Sequence, residues 1–353
     1  MPIGWKDRLR RSGVLAALGA ALLFGAATPL AKRLLQTTDP WLLAGLLYLG
    51  SGVGLALYRR LVHAAPVRMA KSEILWFAGA VAAGGVIAPV LLMFGLRGMP
   101  ASGASLLLNA EGALTALLAW FVFKENFDRR IAWGVVFIVA GAAILTWKGE
   151  VHLAGLWPAL AVLGACFAWG IDNNLTRKVS LSDATWIAST KGLAAGTLNL
   201  VLAMCLGAQT PAIRDVAGAT IIGFLAYGVS LSLFVVALRQ LGTARTGAYF
   251  SVAPFFGAVL ALLLGDSITP QLPIAAALMA AGVWLHLTER HEHEHVHEAL
   301  EHEHEHVHGD DPHHDHEHVP PVAPGTRHTH RHRHKPLRHS HAHFPDAHHR
   351  HGH

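Results

Sequence analysis

A carboxylate in the middle of an apolar run is the first residue of this chain whose type and position suggest chemistry. Glu111 lies two residues after Asn109 in the stretch 101–122, which carries no other charge. An ionised and unpaired carboxylate deep in a bilayer is expensive. Glu111 must therefore face a polar cavity, pair with a cation or hold a proton. A proton-holding carboxyl there would couple proton movement to solute movement; a structural carboxyl hydrogen-bonded between helices is the competing expectation. Lys191 sits in the first third of the apolar run 186–206. Two expectations stand for it: a Glu111–Lys191 pair across a cavity, or a side chain that extends to the membrane surface. Polar groups also close the run that ends Trp169-Gly170-Ile171-Asp172-Asn173-Asn174-Leu175-Thr176-Arg177. Asn173 and Asn174 are candidates for a solute site there, with ordinary helix capping as the alternative. Tyr227 and Tyr249 add hydroxyls within two later runs, as site or as packing residues.

A second chemistry is concentrated at the other end of the chain. All but three of the 26 histidines follow Glu289. Imidazole alternates with carboxylate at His291, His293 and His295 and at His302, His304 and His306; His313, His314, His316 and His318 follow. Neutral imidazole suits zinc, nickel and cobalt, and nearby carboxylates add charge and orient it. The tail is predicted to bind divalent metal at many overlapping sites. It has no apolar face, so it is expected to be disordered without ligand. No cofactor is required by any other feature.

The elements that must position these groups are legible in composition. Hydrophobic residues make up 52% of the 353 and charged residues only 14%, against about 25% charged in soluble domains. Apolar runs occupy 13–35, 41–58, 74–96, 101–122, 131–147, 155–171, 186–206, 217–238, 247–264 and 272–287. A bilayer crossing needs about 20 apolar residues, and the backbone inside must satisfy its own hydrogen bonds, so these runs are predicted as ten transmembrane helices. They lack the alternation of barrel strands. Gly13 to Leu35 is read as a retained first helix, because Pro29, Lys32 and Arg33 replace a small-residue cleavage site. Basic residues flank alternate links: with the N-terminus inside, fifteen lie on that side and five on the other. That bias puts both termini in the cytoplasm of a multi-pass inner-membrane protein. The basic balance is explained by topology, and no nucleic-acid partner is expected. Cys166 and Cys205 fall within apolar runs and imply no disulfide framework.

The runs repeat. Phe24-Gly25 through Lys32-Arg33 to Trp41 has the spacing of Trp169-Gly170 through Arg177-Lys178 to Trp186, and Leu96-Arg97 corresponds to Leu238-Arg239. Five helices per copy is odd, so the second copy enters the membrane from the opposite side. Such inverted halves can exchange inward-open and outward-open shapes around a central site. Pro89 and Pro254 interrupt helices and permit kinks, and Gly134, Gly141 and Gly282 permit close helix approach.

The segments Leu23-Phe24-Gly25-Ala26-Ala27-Thr28-Pro29-Leu30-Ala31-Lys32, Ala104 through Asn109-Ala110-Glu111, and Ala253-Pro254 running into Gly265-Asp266 resemble the EamA repeat of the drug/metabolite transporter superfamily. The resemblance covers about Gly13 to Leu287. It implies that the first four helices of each half surround the cavity and that the fifth supports contacts in a homodimer. Gly112 stands where the family often has the proline seen at Pro254, and Asp266 where glutamate is usual; the tail is outside the pattern.

The expected organisation is therefore an all-α integral membrane protein: a cytoplasmic N-terminus (1–11), a first EamA repeat (12–148), a second (149–288) and a His-rich tail (289–353). The leading expectation is a secondary exporter of small organic metabolites or drug-like solutes. A divalent-metal exporter is the alternative, and a non-transporting metal sensor or buffer is a third reading. Outside the tail the histidines are only His63, His152 and His286, all near helix ends, which favours an organic substrate. No nucleophile–base–orienter cluster marks an enzyme, and no Gly-x-x-x-x-Gly-Lys loop marks ATP use.

Overall fold

A computed structural model describes residues 5–67, 69–123, 129–146, 153–177, 179, 183–241, 246, 249–287, 292–297, 301–307, 327–333 and 337–342. The chain divides into a helical unit, Met1–Glu289, and a second unit, Arg290–His353.

In the helical unit the apolar runs fold as rods joined by short links. The first is α1 (Trp5–Leu34). Asp39 then caps α2 (Pro40–Leu61): its Oδ1 accepts from Trp41 N at 2.9 Å and from Leu42 N at 3.4 Å, with proline in the first turn, where no N–H is missed. The third rod is α3 (Ile74–Ala80), a π-helical segment (Val81–Ile87) and α4 (Ala88–Gly98). Pro89 supplies a cause for the interruption, because it has no N–H to offer Gly85 O and its ring crowds that carbonyl. Asn199 Nδ2 serves the freed Gly85 O instead, at 3.1 Å. The fourth rod breaks at 108–109 into α5 (Ala101–Leu107) and α6 (Ala110–Phe123). Then come α7 (Arg129–Thr146), α8 (Leu153–Arg177) and α9 (Ala184–Cys205), the last capped by Asp183 through Trp186 N at 2.9 Å. The eighth rod mirrors the third: α10 (Ile213–Gly223), a π segment (Phe224–Val229) and α11 (Ser230–Leu241). A break at 251–252 precedes α12 (Ala253–Leu263), and α13 (Gln271–Leu287) follows. The π segment in the third rod and the break in the fourth thus recur in the second half, as structural repeats do. Among the described residues seven helices are long and apolar enough to cross a membrane, and two shorter ones, Ala253–Leu263 and Gln271–Leu285, are apolar as well.

Packing joins the halves. Helix α2 lies against α9, where Gly52 and Gly192 bring the two backbones together; a Cβ at Gly192 would stand 2.7 Å from Gly52 N. Helix α1 runs beside α11 and α12, and α4 beside α8. Helix α7 packs on α13, with Gly282 against Gly134 O and Gly141 against Met279. The three glycines singled out for close approach therefore serve contacts within one chain. Leu43, Leu47, Met93, Leu96, Leu107 and Val162 fill the centre. Leu22, Phe121, Trp133 and Trp284 face outward, as large apolar residues do where the solvent is lipid.

In the second unit the described residues pair as two antiparallel ribbons. Glu292–His297 (β1) pairs antiparallel with Leu337–Ala342 (β4), and Glu301–Val307 (β2) with Arg327–Arg333 (β3). The alternating sequence supplies the physical reason: in the second ribbon Glu301 and Glu303 stand opposite Arg333 and Arg331 in the register, and opposite charges across an antiparallel pair are favourable.

Candidate functional site

The break in the fourth rod places Glu111 in the first turn of α6, where the helix dipole favours an acid. Glu111 faces the last turns of α8. Its Oε1 accepts from Asn173 Nδ2 at 2.9 Å, and the same amide donates to Thr115 Oγ1 at 3.3 Å. Asn174, the next residue and about 100° further round the helix, turns to backbone instead. Its Nδ2 donates to Gly170 O at 2.8 Å and Thr115 O at 3.2 Å, tying α8 to α6.

Lys191 does not pair with Glu111. Its ammonium lies between both carboxylate oxygens of Asp172, at 2.6 and 2.8 Å, and Thr176 Oγ1 donates to Asp172 Oδ1 at 2.8 Å. The pair is largely enclosed, with side chains 16% and 8% exposed for Lys191 and Asp172. The correction has a simple geometric reason. Asp172 on α8 and Lys191 on α9 meet across the π segment of the third rod, which contacts both helices, whereas Glu111 meets α8 from the α6 side through Asn173. Lys191 is thus held inside the unit, and does not extend to the surface.

Both charged groups border one cavity of about 280 Å³, whose walls include Phe24, Trp169, Tyr227, Phe234 and Phe250. The aromatic wall is interlocked. Phe24 meets Tyr227 edge-on at 5.7 Å and Phe250 at 5.4 Å, and Tyr48 lies 5.6 Å from Tyr227. The π segment of the third rod braces it from behind: Gly84 O accepts from Tyr48 OH at 2.7 Å and from Trp169 Nε1 at 3.0 Å. Gly84 is also a steric requirement, because a Cβ there would land on Asp172 Oδ2.

The seven sequence candidates separate accordingly. Glu111, Asn173, Lys191 and Tyr227 come together at or beside the cavity. Asn174 stands behind it. Asn109 does not reach it; its amide donates to Leu106 O at 2.9 Å and caps the helix break. Tyr249 does not line the cavity either, packing with Leu233 on the cluster of Ala16, Ala17 and Ala237. The sequence reading quoted Asp172 only among the polar groups closing its run, without singling it out, and passed over Phe24, Trp169, Phe234 and Phe250 as site residues. Asp172 carried a signal, since an acid one turn from the end of an apolar run needs a cation partner. The aromatics carried none, being indistinguishable by type from lipid-facing residues. Among the described residues no three His, Cys, Asp or Glu side chains cluster as a metal site. Of the ten candidate metal-binding histidines, His291, His313, His314, His316 and His318 lie outside the described residues. His293 and His295 stand in β1, and His302, His304 and His306 in β2.

At the end of the unit where α2 finishes and α9 begins, Arg59 NH1 meets Asp183 Oδ1 at 2.6 Å and Thr185 Oγ1 at 2.7 Å. Partial burial disfavours the Asp183 charge. Hydrogen bonds from Thr185 and the Trp186 N–H, with the guanidinium, outweigh it and hold the carboxyl below its ordinary value.

The EamA-like transporter family matches the chain twice, over residues 11–147 and 156–288. The chain belongs to that family. As an EamA-like protein it is a multi-pass membrane transporter of the drug/metabolite type, built from two copies of the repeat. A relative described as an "Uncharacterized transporter" of Methanothermobacter thermautotrophicus is 25% identical over 292 residues, 77% of this chain and 85% of its own. A "Probable amino-acid metabolite efflux pump" of Salmonella typhimurium is 27% identical over 54% of this chain and 68% of its own. A "Probable terminal-alkyne amino-acid exporter" of Streptantibioticus cattleyicolor is 27% identical over 56% and 67%. One crystal structure superposes with a TM-score of 0.59 at 17% identity, covering 78% of this chain and 95% of that one, a likeness of fold.

Proposed function

We propose that this EamA-like transporter is a secondary exporter of small zwitterionic organic solutes, amino acids and their derivatives foremost, working by alternating access of two inverted halves across ten membrane-spanning helices. The observation that carries the reading is the Asp172–Lys191 pair at the wall of an aromatic cavity. A solute with one carboxylate and one ammonium can exchange that internal pair for two external ones, Lys191 to its carboxylate and Asp172 to its ammonium. Its apolar part would lie against Phe24, Tyr227 and Phe234. At about 280 Å³ the cavity falls just under the roughly 300 Å³ at which drug-sized pockets begin, which suits a small solute. Export is supported by the descriptions of two relatives as efflux proteins. Glu111 is the proton-coupling carboxyl, close enough through Asn173 to report the state of α8.

The His-rich tail, cytoplasmic by the distribution of basic residues, binds divalent zinc, nickel or cobalt. Its register supports this, since histidine faces histidine at His302 and His332, His304 and His330, and His306 and His328. Metal held there acts on a carrier of organic solutes, as a buffer or sensor at the membrane surface.

The test is counterflow in proteoliposomes with labelled amino acids, beside nickel, cobalt and zinc uptake by the full chain. Saturable amino-acid counterflow, abolished by Lys191→Met and Asp172→Asn, is expected. Metal flux without amino-acid counterflow would replace this reading with a metal exporter. Metal binding without flux of either kind would replace it with a membrane-bound sensor.

A further inference from the structure

We propose that Lys32 and Arg33, in the last turn of α1, form a latch that holds one end of the solute pathway shut and must break for that end to open. The inference rests on the alternating-access reading above.

Helix C-termini end in carbonyls without intrahelical partners and carry the negative end of the helix dipole. Two such ends, one from each half of the chain, converge on α1. Lys32 Nζ donates to Leu96 O and, at 3.3 Å, to Arg97 O, in the last turn of α4. Arg33 donates through NH2 to Leu264 O, the C-cap of α12, at 3.3 Å. Asp266, just beyond that cap, accepts from Ser102 N at 2.8 Å and so holds the start of α5 to the same knot. Lys32, Arg33, Gln36, Ala101 and Asp266 surround a cavity of about 440 Å³.

The latch and the solute cavity share one helix, α1. Phe24 lines the aromatic cavity and Lys32 the outer one. Eight residues of the same helix separate them, about 12 Å at 1.5 Å per residue. The Arg59–Asp183 contact marks the opposite end of the unit, since α1 and α2 run antiparallel and α9 starts where α2 stops.

The chemistry of the contacts separates what moves from what stays. Along α2 and α9, backbone meets backbone at Gly52 and Gly192, and parting them would forfeit close packing along both helices. Helix α1 meets α12 closely too, at Gly25 and Gly257, but its last turn beyond that contact is held differently, by three charge-assisted hydrogen bonds to carbonyls. Water or a solute carboxylate can replace these one at a time. That arrangement fits a joint that opens and recloses.

Labelling of a buried position beside the latch tests this. Ala101 lines the outer cavity and is 2% exposed. Ala101→Cys is made in a Cys166→Ala, Cys205→Ser background and reacted with a charged maleimide in lipid nanodiscs, where both faces meet the reagent. Lys32→Met with Arg33→Gln should speed labelling at least about tenfold, the effect of losing a single charge-assisted hydrogen bond at the low end of its range, about 1.5 kcal/mol. Arg59→Gln, at the other end, should leave it unchanged, and Leu43→Cys in the core should stay unlabelled in every variant. Unchanged labelling in the double variant overturns the latch. Equal acceleration at Leu43→Cys also overturns it, since the unit would merely be loosened. If the double variant does not accumulate, Arg33→Gln alone, on the more exposed rim, must give an increase in the same direction or the proposal fails. No solute is present, so failed amino-acid counterflow would remove the proposed substrate and leave this result readable.

Discussion

Lys191→Met removes the cation from an enclosed pair and leaves the Asp172 carboxylate, 8% exposed, without its partner. Both carboxylate oxygens contact the ammonium, at 2.6 and 2.8 Å. Removing one member of a buried pair costs about 3–5 kcal/mol, most of it from the charge left behind. The adjoining cavity gives water access to the surviving carboxylate, so the low end applies, ~3 kcal/mol. At roughly 2–4 °C per kcal/mol for chains of a few hundred residues, the melting temperature should fall by about 6–12 °C. Asp172→Asn should fall by a similar amount. The double variant, with neither charge, should melt within a few degrees of the parent and yet show no amino-acid counterflow. Thermal unfolding of the solubilised protein by fluorescence-detected size-exclusion chromatography reads the first quantity, and counterflow the second. If each single variant melts with the parent, or the double variant falls by the sum of the two, the pair is not coupled. The exchange of an internal for an external ion pair then loses its basis.

Gly84→Ala keeps every charge yet puts a Cβ onto Asp172 Oδ2, so it should reproduce the transport loss of Lys191→Met. Gly112→Ala, with nothing within 4 Å of the new methyl group, should keep full counterflow and gain up to ~1 kcal/mol of helix stability. Glu111→Gln keeps a hydrogen-bonding partner for Asn173 but cannot release a proton; solute exchange should survive while dependence on a pH gradient disappears, and uptake still driven by the gradient would remove Glu111 from coupling. Asp183 is held below its ordinary value of 3.8 in the folded chain, so its charged form adds stability above that pH and loses the contribution as pH falls through the lower folded value. Asp183→Asn should therefore flatten the acid limb of a melting-temperature profile below about pH 4 while lowering stability at neutral pH; parallel profiles would show that the Arg59 contact contributes nothing.

The sequence alone determined the elements and their duplication. Run length and hydropathy require helices, because a backbone in hydrocarbon has no other donor or acceptor, and the spacing of Phe24 to Trp41 against Trp169 to Trp186 exposed the repeat. It also determined that Glu111 needs a partner. Which partner was decided by tertiary structure. Burial inside a membrane protein leaves no polar–apolar contrast along a helix, since Leu22 facing lipid and Leu43 facing the core are equally apolar. Direction is therefore missing from the pattern. The choice of Asp172 over Glu111 for Lys191, the inward position of Tyr227 and the exclusion of Tyr249 from the cavity all depend on it. The π segments illustrate the same limit: Pro89 announces a disturbed carbonyl, but that Asn199 satisfies Gly85, and Tyr48 and Trp169 brace Gly84, follows only from helices brought together by packing.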